Sequence, residues 1–383
     1  RVEDVPAYEK MFAAFEKKNP DIDVRFVTYQ DSQYETILTT ALKAKKGPDI
    51  AQLKPYGELQ PLVEAKLLLP LDDRVPELKN FYPVALEGAR GRSDGKLYGV
   101  PYSVPNMGIF YNKAIFKKYG LSVPKTWDEF MKSLQTLKGN GVIPIAAGGA
   151  SGSGWSLEIM IGVFGPNIYG GNSFWDEIRS GKADFNDARF VAVLKRLQEL
   201  GPYLTPGFEG IDYTSATFQF INEQAAMFVG GSWENGNFKI QNPKLDFGIF
   251  AAPPSKAGDP AITSSFCDGS YGLTSSSKNP EAATKVLRFM ASKEFAQMFA
   301  DELGWPPATA GVSSKDPVLQ QMLAMQECST PYLTLVGFRW QTPTASEVIQ
   351  SKIASMIAGR ISPEQLAADV QAAVKTWYKP FQK

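Results

Sequence analysis

Histidine is absent from the chain, and no other omission is as restrictive. Without imidazole there is no His-based general acid–base chemistry, no Ser-His-Asp or Cys-His nucleophile, and none of the common zinc motifs. Cysteine is nearly missing as well: Cys267 and Cys328 are the only two. They are open to pairing in an oxidising compartment or to staying separate thiols, because the sequence does not say how closely their Cα atoms approach. Net charge is lacking too, with 40 basic residues against 40 acidic ones. The longest basic clusters, Lys43-Ala44-Lys45-Lys46 and Lys117-Lys118, are short and sit near expected helix ends, where cations complement the helix dipole. The basic surface that nucleic-acid binding usually needs is therefore not present. Finally, no apolar run is long enough to span a membrane as a helix.

What is present suits a globular chain of two domains. There are 383 residues, 44% hydrophobic and 21% charged, which supplies apolar material for two cores. The stretch from Asp94 to Phe130 organises the reading. Asp94-Gly95 is a turn dipeptide, and Leu97 to Tyr102 alternates as a strand does. Gly108 to Tyr111 is a short apolar run, and a short helix that Gly120 can cap follows it. Thr126 and Glu129 have the spacing of a capping box, with Trp127, Phe130, Leu134 and Leu137 on one helical face behind it.

Along the chain, Asp4 is placed to cap a helix through Tyr8, Met11, Phe12 and Phe15, and Ile22 to Tyr29 alternates as a strand. A polar loop, Gln30 to Gln33, precedes a helix over Tyr34 to Ala44. Ile50 to Leu53 reads as a strand, with Lys54 and Tyr56 just past its C-terminal end. Ligands of open α/β sheets bind beyond such ends, so both are candidates; a loop lysine beside a packed tyrosine is the alternative. Val142 to Ala147 reads as a buried strand that empties into the glycine-rich run Gly148 to Gly154 and Trp155. That run has neither the P-loop ending nor the dinucleotide-binding spacing. It reads as a flexible loop carrying backbone donors and Trp155 toward a ligand, and Asn167 to Trp175 as a second loop of this kind. Ala225-Ala226-Met227-Phe228-Val229 then leads to Gly230-Gly231-Ser232-Trp233. Trp233 is either a core residue or a ligand platform. A pyranose packs its C–H patches on a flat aromatic face while its hydroxyls need partners at the rim. Glu234 and Asn235 can instead cap the next helix. Arg339 and Trp340 precede another helix, where the guanidinium can fork two hydrogen bonds to vicinal hydroxyls or to an acidic group. The chain closes on two amphipathic helices, Ser346 to Ala358 and Ser362 to Tyr378.

Taken together, these segments resemble the extracellular solute-binding proteins of ABC transporters, in particular the carbohydrate-binding family that includes maltose-binding protein. The carrying residues are Gly95-Lys96-Leu97-Tyr98-Gly99-Val100-Pro101, Tyr111-Asn112-Lys113, Tyr119-Gly120-Leu121 leading to Thr126-Trp127-Asp128-Glu129-Phe130, the Ala-Met strand with Trp233, and Ser277-Lys278-Asn279-Pro280-Glu281-Ala282-Ala283. The resemblance covers nearly the whole chain. One departure is that the printed sequence has no apolar strand before its first helix, where the family places one.

The resemblance implies an α/β, periplasmic-binding-protein-like fold, in which two lobes are joined by three hinge crossings and close on a solute. The lobes would be 1–108 with 262–305, and 109–261 with 306–383. The implied function is capture of a mono- or oligosaccharide in the interlobe cleft and delivery to ABC permease subunits. The implied candidates for solute contact are Asp31, Gln33, Lys54, Tyr56, Asn106, Trp155, Trp233, Asp268, Gly269, Arg339 and Trp340, with no catalytic residue, metal or cofactor. A monomer is expected, exported with its leader removed, in the periplasm or lipid-anchored on the outer face of the cytoplasmic membrane. Two other readings stay open: the same fold with a non-sugar or acidic, phosphorylated solute, and a carbohydrate-active enzyme, which would need two carboxylates at a set separation.

Overall fold

Nine strands recur among the residues that the computed structural model describes, 4–29 and 31–382, the Asp31 and Ser32 side chains excepted. They are β1 (Ile50–Leu53), β2 (Val100–Ser103), β3 (Met107–Asn112), β4 (Ile143–Ala146), β5 (Ala225–Gly231), β6 (Phe247–Phe250), β7 (Thr263–Ser265), β8 (Gly269–Leu273) and β9 (Ser329–Pro331). Helices connect them. The chain divides into two compact units, Arg1–Pro105 with Phe266–Lys315 and Asn106–Ser265 with Asp316–Lys383. It therefore passes from one unit to the other three times, after residues 105, 265 and 315.

The first unit is built on a three-stranded antiparallel sheet in the order β1-β8-β2. Leu53 lies opposite Ser270, and Ser103 opposite Gly269, so β1 and β2 both end where β8 begins. Pro101 is accommodated because β2 is an edge strand, where a missing N–H leaves no inner ladder bond unmade. Leu38, Leu42, Ala51, Leu53, Leu59, Val63, Leu68 and Tyr98 form one core cluster. The helices Pro280–Met290 and Lys293–Leu303 present one apolar face each and carry an edge-to-face series, Phe289–Phe295 at 5.6 Å and Phe299–Trp305 at 6.1 Å.

Two expectations change here. Residues 22–29 run extended with alternating burial, but they pair with no strand among the described residues. Alternation decides which side chains face inward; a ladder also requires a neighbour with matching N–H and C=O groups. Phe26 stacks on Tyr8 with centroids 4.8 Å apart, and the Val24 N–H is taken by the Glu16 carboxylate (2.7 Å). Residues 306–315, expected in the second lobe, belong to the first unit. Ser103 Oγ donates to the Pro306 carbonyl (2.6 Å), the Ala308 N–H donates to Tyr102 O (3.2 Å), and Gln297 Nε2 donates to Ser313 O (2.7 Å). These bonds hold the segment to β2 and to the helix Lys293–Leu303, so the third passage falls ten residues later than expected, at Lys315 rather than 305.

The second unit has a four-stranded sheet in the order β4-β5-β3-β6. β3 runs antiparallel to both β5 and β6, whereas β4 and β5 are parallel. Asn112 ends β3 and caps the helix Lys113–Lys118 by accepting the Ile115 N–H (2.8 Å). Thr126 caps Trp127–Gly139 as expected, accepting from Glu129 N–H (3.2 Å), but the Glu129 carboxylate reaches back to the Lys125 N–H (2.7 Å), one residue beyond the box position. The Asn167–Trp175 segment is helical rather than a loop, split between Pro166–Tyr169 and Gly171–Ser180. Phe238 is the centre of the core: fully buried, it lies 5.1 Å from Phe110, 5.0 Å from Phe220, 5.8 Å from Phe228 and 5.5 Å from Phe247.

Neither cysteine is in a disulfide; Cys267 is buried, which pushes its thiol far above the ordinary value, and Cys328 is exposed. Among the described residues no helix is long and apolar enough to cross a membrane.

Asp316 opens the return to the second unit. It caps the helix Pro317–Glu327 through Val318 N–H (3.0 Å), accepts from Asn235 Nδ2 (2.9 Å) and pairs with Lys239. Burial alone would raise its pKa, but the hydrogen bonds from Asn235 and Lys239, with the Lys239 charge, outweigh it and leave it lowered.

Two outcomes test this packing. Phe238→Ala should cost about 3–5 kcal/mol in urea unfolding, whereas Ile240→Ala, at a side chain 70% exposed, should change little. The lowered Asp316 pKa means the folded state binds fewer protons than the unfolded one. Its contribution is therefore complete above the unfolded value of about 3.9 and fades as pH falls through the folded value. Stability of Asp316→Asn, measured against pH, should show a shallower acid decline than the parent; an identical decline would remove Asp316 from the acid limb.

Candidate functional site

The sheet of the first unit gathers polar groups at the end where β8 begins. Gln52 Nε2 donates to Tyr102 Oη (3.0 Å), and Tyr102 Oη donates to Asp268 Oδ2 (3.0 Å). Tyr34 Oη donates to the Gln52 carbonyl (2.9 Å). Burial, and then the Asp268 charge, pushes the Tyr102 phenol far above its ordinary value, so it remains a neutral donor. Asp268 is half-buried, and Gly269 is buried beside it, opposite Ser103. Lys54 is 39% exposed and lies 3.9 Å from the Glu58 carboxylate, a pair worth at most about 1 kcal/mol in such exposure.

Two expected positions in this unit fall differently. Tyr56 sits in a left-handed turn (φ +57°) and is 1% exposed; its hydroxyl accepts the Cys267 N–H (2.9 Å), so the ring packs inside rather than facing a solute. Gln33 belongs to the helix Asp31–Lys43, not to a loop, and is exposed; the Asp31 side chain lies outside the described residues. In the second unit, Asn106 is likewise interior. Fully buried, it donates its side-chain amide to the Met322 carbonyl, its main-chain carbonyl accepts the Ser232 N–H (3.0 Å), and its Oδ1 is buried without a hydrogen-bond partner among the described residues.

The second unit brings two expected residues together through a third that the sequence did not single out. Trp155 and Tyr213 have ring centroids 4.4 Å apart at 43°, and Trp233 Nε1 donates to Tyr213 Oη (3.1 Å). All three rings are half-buried. Tyr213 Oη in turn donates to Glu234 Oε1 (2.6 Å). The result is an array of three aromatic rings in which the polar edges of Trp233 and Tyr213 are bonded to each other and Trp155 joins by ring contact.

Glycine sets this array. A Cβ on Gly154 would run into the Gln350 carbonyl, and a Cβ on Gly148 would lie 2.6 Å from the Asp212 carbonyl oxygen. Bare backbone at both places lets the run 148–154 press on the start of the helix Tyr213–Ile221 on one side and on Ala345–Ile357 on the other. Its N–H groups are used in doing so: Gly149 donates to Phe208 O (2.7 Å) and Ala150 to Ile211 O (3.0 Å). The run is thus a packing wedge and not a flexible loop that offers these donors to a ligand. Ser153 Oγ accepts the Tyr213 N–H (3.2 Å), which fixes the tyrosine over Trp155.

One turn beyond Trp155 stands Glu158, 3% exposed. Its Oε1 accepts from Thr334 Oγ1 (2.6 Å) and Ser346 Oγ (2.7 Å), and its Oε2 accepts from Gln350 Nε2 (2.7 Å). These bonds tie the helix Gly154–Phe164 to Leu333–Val336 and Ala345–Ile357. Arg339 and Trp340 follow Leu333–Val336, half-buried, and Trp340 Nε1 donates back to the Val336 carbonyl (3.0 Å). Tyr213 and Glu158 escaped the sequence reading, and Glu234 was read only as a possible helix cap, because each acts across a distance in sequence; Asp212, which caps the helix Tyr213–Ile221 by accepting the Ser215 N–H (2.7 Å), is a local signal beside Tyr213. Among the described residues no group of three or more Cys, Asp or Glu side chains is arranged to hold a metal.

Two α/β units threaded three times by one chain define a two-lobe, periplasmic-binding-protein-like fold. Residues 2–297 match the family described as bacterial extracellular solute-binding protein, and the chain belongs to that family, whose members are binding proteins. It is similar to the multiple sugar-binding protein of Streptococcus mutans, 28% identical over 343 residues, 87% of this chain and 79% of that protein. Among solved structures it is similar to a chitin oligosaccharide binding protein (TM-score 0.80, 23% identity, 100% of this chain and 96% of that one). The solute-binding protein RafE in complex with raffinose is another (TM-score 0.75, 23% identity, 99% and 97%).

Glu158→Ala would leave two buried hydroxyls and the half-buried Gln350 amide without their acceptor, and should lower stability by at least about 2 kcal/mol in urea unfolding. Glu158→Gln, whose amide oxygen still accepts, should lose less. Equal losses would deny the carboxylate its tying role.

Proposed function

We propose that this protein captures a sugar outside the cytoplasmic membrane and hands it to the permease subunits of an ABC importer. The observation that carries this reading is the Trp155–Tyr213–Trp233 array. Half-buried aromatic faces, with the polar edges of Trp233 and Tyr213 bonded internally, offer carbon surface, which matches the C–H patches of a pyranose better than it matches an ion. Membership of the solute-binding family and the sugar-binding names of its relatives support the same conclusion. Lys54, Asp268, Arg339 and Trp340 are proposed as further contacts for the solute's hydroxyls. The chain works as a monomer and carries out no chemistry on the sugar, in keeping with the lack of histidine. It acts in the periplasm or lipid-anchored at the outer face of the membrane. Its conformational equilibrium shifts only as far as the solute prefers one state over the other.

Thermal unfolding in a panel of mono- and oligosaccharides tests the reading. At least one should raise the melting temperature, since a ligand at 100 times its Kd adds about 2.7 kcal/mol to a folded state that alone binds it. Trp233→Ala should weaken that sugar by about 30-fold or more, the loss of an aromatic hot spot of at least about 2 kcal/mol. No shift with any saccharide would sink the proposal, and release of shorter sugars on incubation with oligosaccharides would replace it with an enzyme.

A further inference from the structure

Glu234 is an odd residue to find where it is. It is 3% exposed, and its carboxylate is met by neutral donors: Tyr213 Oη on Oε1 (2.6 Å) and Asn237 Nδ2 on Oε2 (2.7 Å). The nearby cation Lys239 is directed to Asp316. An ionised carboxylate removed from water is costly unless its oxygens are satisfied. Glu234 meets that cost with two hydrogen bonds and with its place in the first turn of the helix Glu234–Gln241, the positive end of the helix dipole.

The polarity of the bonds around Tyr213 is fixed by chemistry. An indole N–H only donates and a carboxylate only accepts. The phenol between them must therefore take the Trp233 proton on its oxygen and give its own proton to Glu234. Its single donor is committed inside the protein. Bonds to an ionised acceptor are stronger than neutral ones, and a chain of donors polarises along its length. The ring of Tyr213 also packs between Trp155 (4.4 Å) and the core ring of Phe228 (5.7 Å, 63°), so packing on its faces and the bonds at its hydroxyl together fix its position.

We propose that Glu234 is a positioning residue of the aromatic site: through Tyr213 it fixes the planes of Tyr213 and Trp233, so that the solute is read by its C–H face and not by the tyrosine hydroxyl. This rests on the sugar-binding reading above. Saccharides that differ in how much unbroken C–H face they present should then be discriminated by the array, and an added hydroxyl aimed at Tyr213 gains nothing.

The experiment compares wild type, Glu234→Ala, Glu234→Gln, Tyr213→Phe and the Glu234→Ala/Tyr213→Phe double variant. Affinity is measured by titration calorimetry with the saccharide that most stabilises the wild type, and tryptophan emission is recorded without sugar. Seven tryptophans contribute, so the Trp233 component is isolated by difference against Trp233→Phe. Glu234→Ala and Tyr213→Phe should each weaken binding about ten-fold, and the double variant no further, as expected of two side chains acting as one unit. Glu234→Gln should recover most of the affinity, because its amide oxygen still accepts the phenol proton. The Trp233 emission should shift in Glu234→Ala and return in Glu234→Gln. Wild-type affinity in Glu234→Ala, or losses that simply add, overturns the proposal. If the wild type binds no saccharide, the functional reading fails on its own, and an unchanged Trp233 emission in Glu234→Ala then overturns the positioning role separately.

Discussion

Backbone contact at two glycines governs the second unit. Where Gly148 meets the Asp212 carbonyl and Gly154 meets that of Gln350, even a methyl group would force the main chains apart. Because it is bare, the run 148–154 locks three helices into one arrangement: its own continuation Gly154–Phe164, the helix Tyr213–Ile221 and the helix Ala345–Ile357. Trp155 rides on the first and Tyr213 on the second, so their 4.4 Å approach is a consequence of that contact. Trp233 joins them from the end of β5 through the Tyr213 hydroxyl.

Around this arrangement the protein handles buried charge in one consistent way. Glu158 and Glu234 are each only 3% exposed, and hydroxyl and amide groups surround each carboxylate. Such groups give direction as well as energy, since a carboxylate accepts only and its donors must turn toward it. Two elements are thereby bound to the Trp155 helix, and one ring is held beside Trp233. Asp316, by contrast, pairs with a lysine where the chain re-enters the second unit, and, despite burial, its pKa is lowered by the hydrogen bonds from Asn235 and Lys239 together with the lysine charge. In the first unit the corresponding polar chain runs from Gln52 through Tyr102 to Asp268.

Much of the fold was legible in local patterns. The capped helix after Thr126, the apolar strand ending at Asn112 and the strand at Ala225–Gly231 stand where the sequence places them. Each is announced by signals a few residues apart. Legibility failed where partners were distant. Residues 22–29 alternate correctly yet pair with no strand among the described residues, and residues 306–315 were claimed by β2 and the helix Lys293–Leu303 through hydrogen bonds between separate segments. Tyr56 and Asn106 looked like solute contacts because of their place after a strand and before a crossing. Both turn inward, Tyr56 bonding to Cys267 and the Asn106 amide donating to Met322.

By itself the sequence determined the chemical class: no histidine, balanced charge, aromatics after strand ends, and the order of segments that places the chain in its family. These are properties of residue identity and short-range spacing, and folding does not alter them. Only the tertiary structure decided which aromatics share a site. Trp155 and Trp233 are 78 positions apart and meet through Tyr213, whose orientation depends on a carboxylate that sequence reading took for a helix cap. Helix and strand spacing says which face a residue occupies, whereas the partner across that face is chosen by packing between segments far apart in the chain.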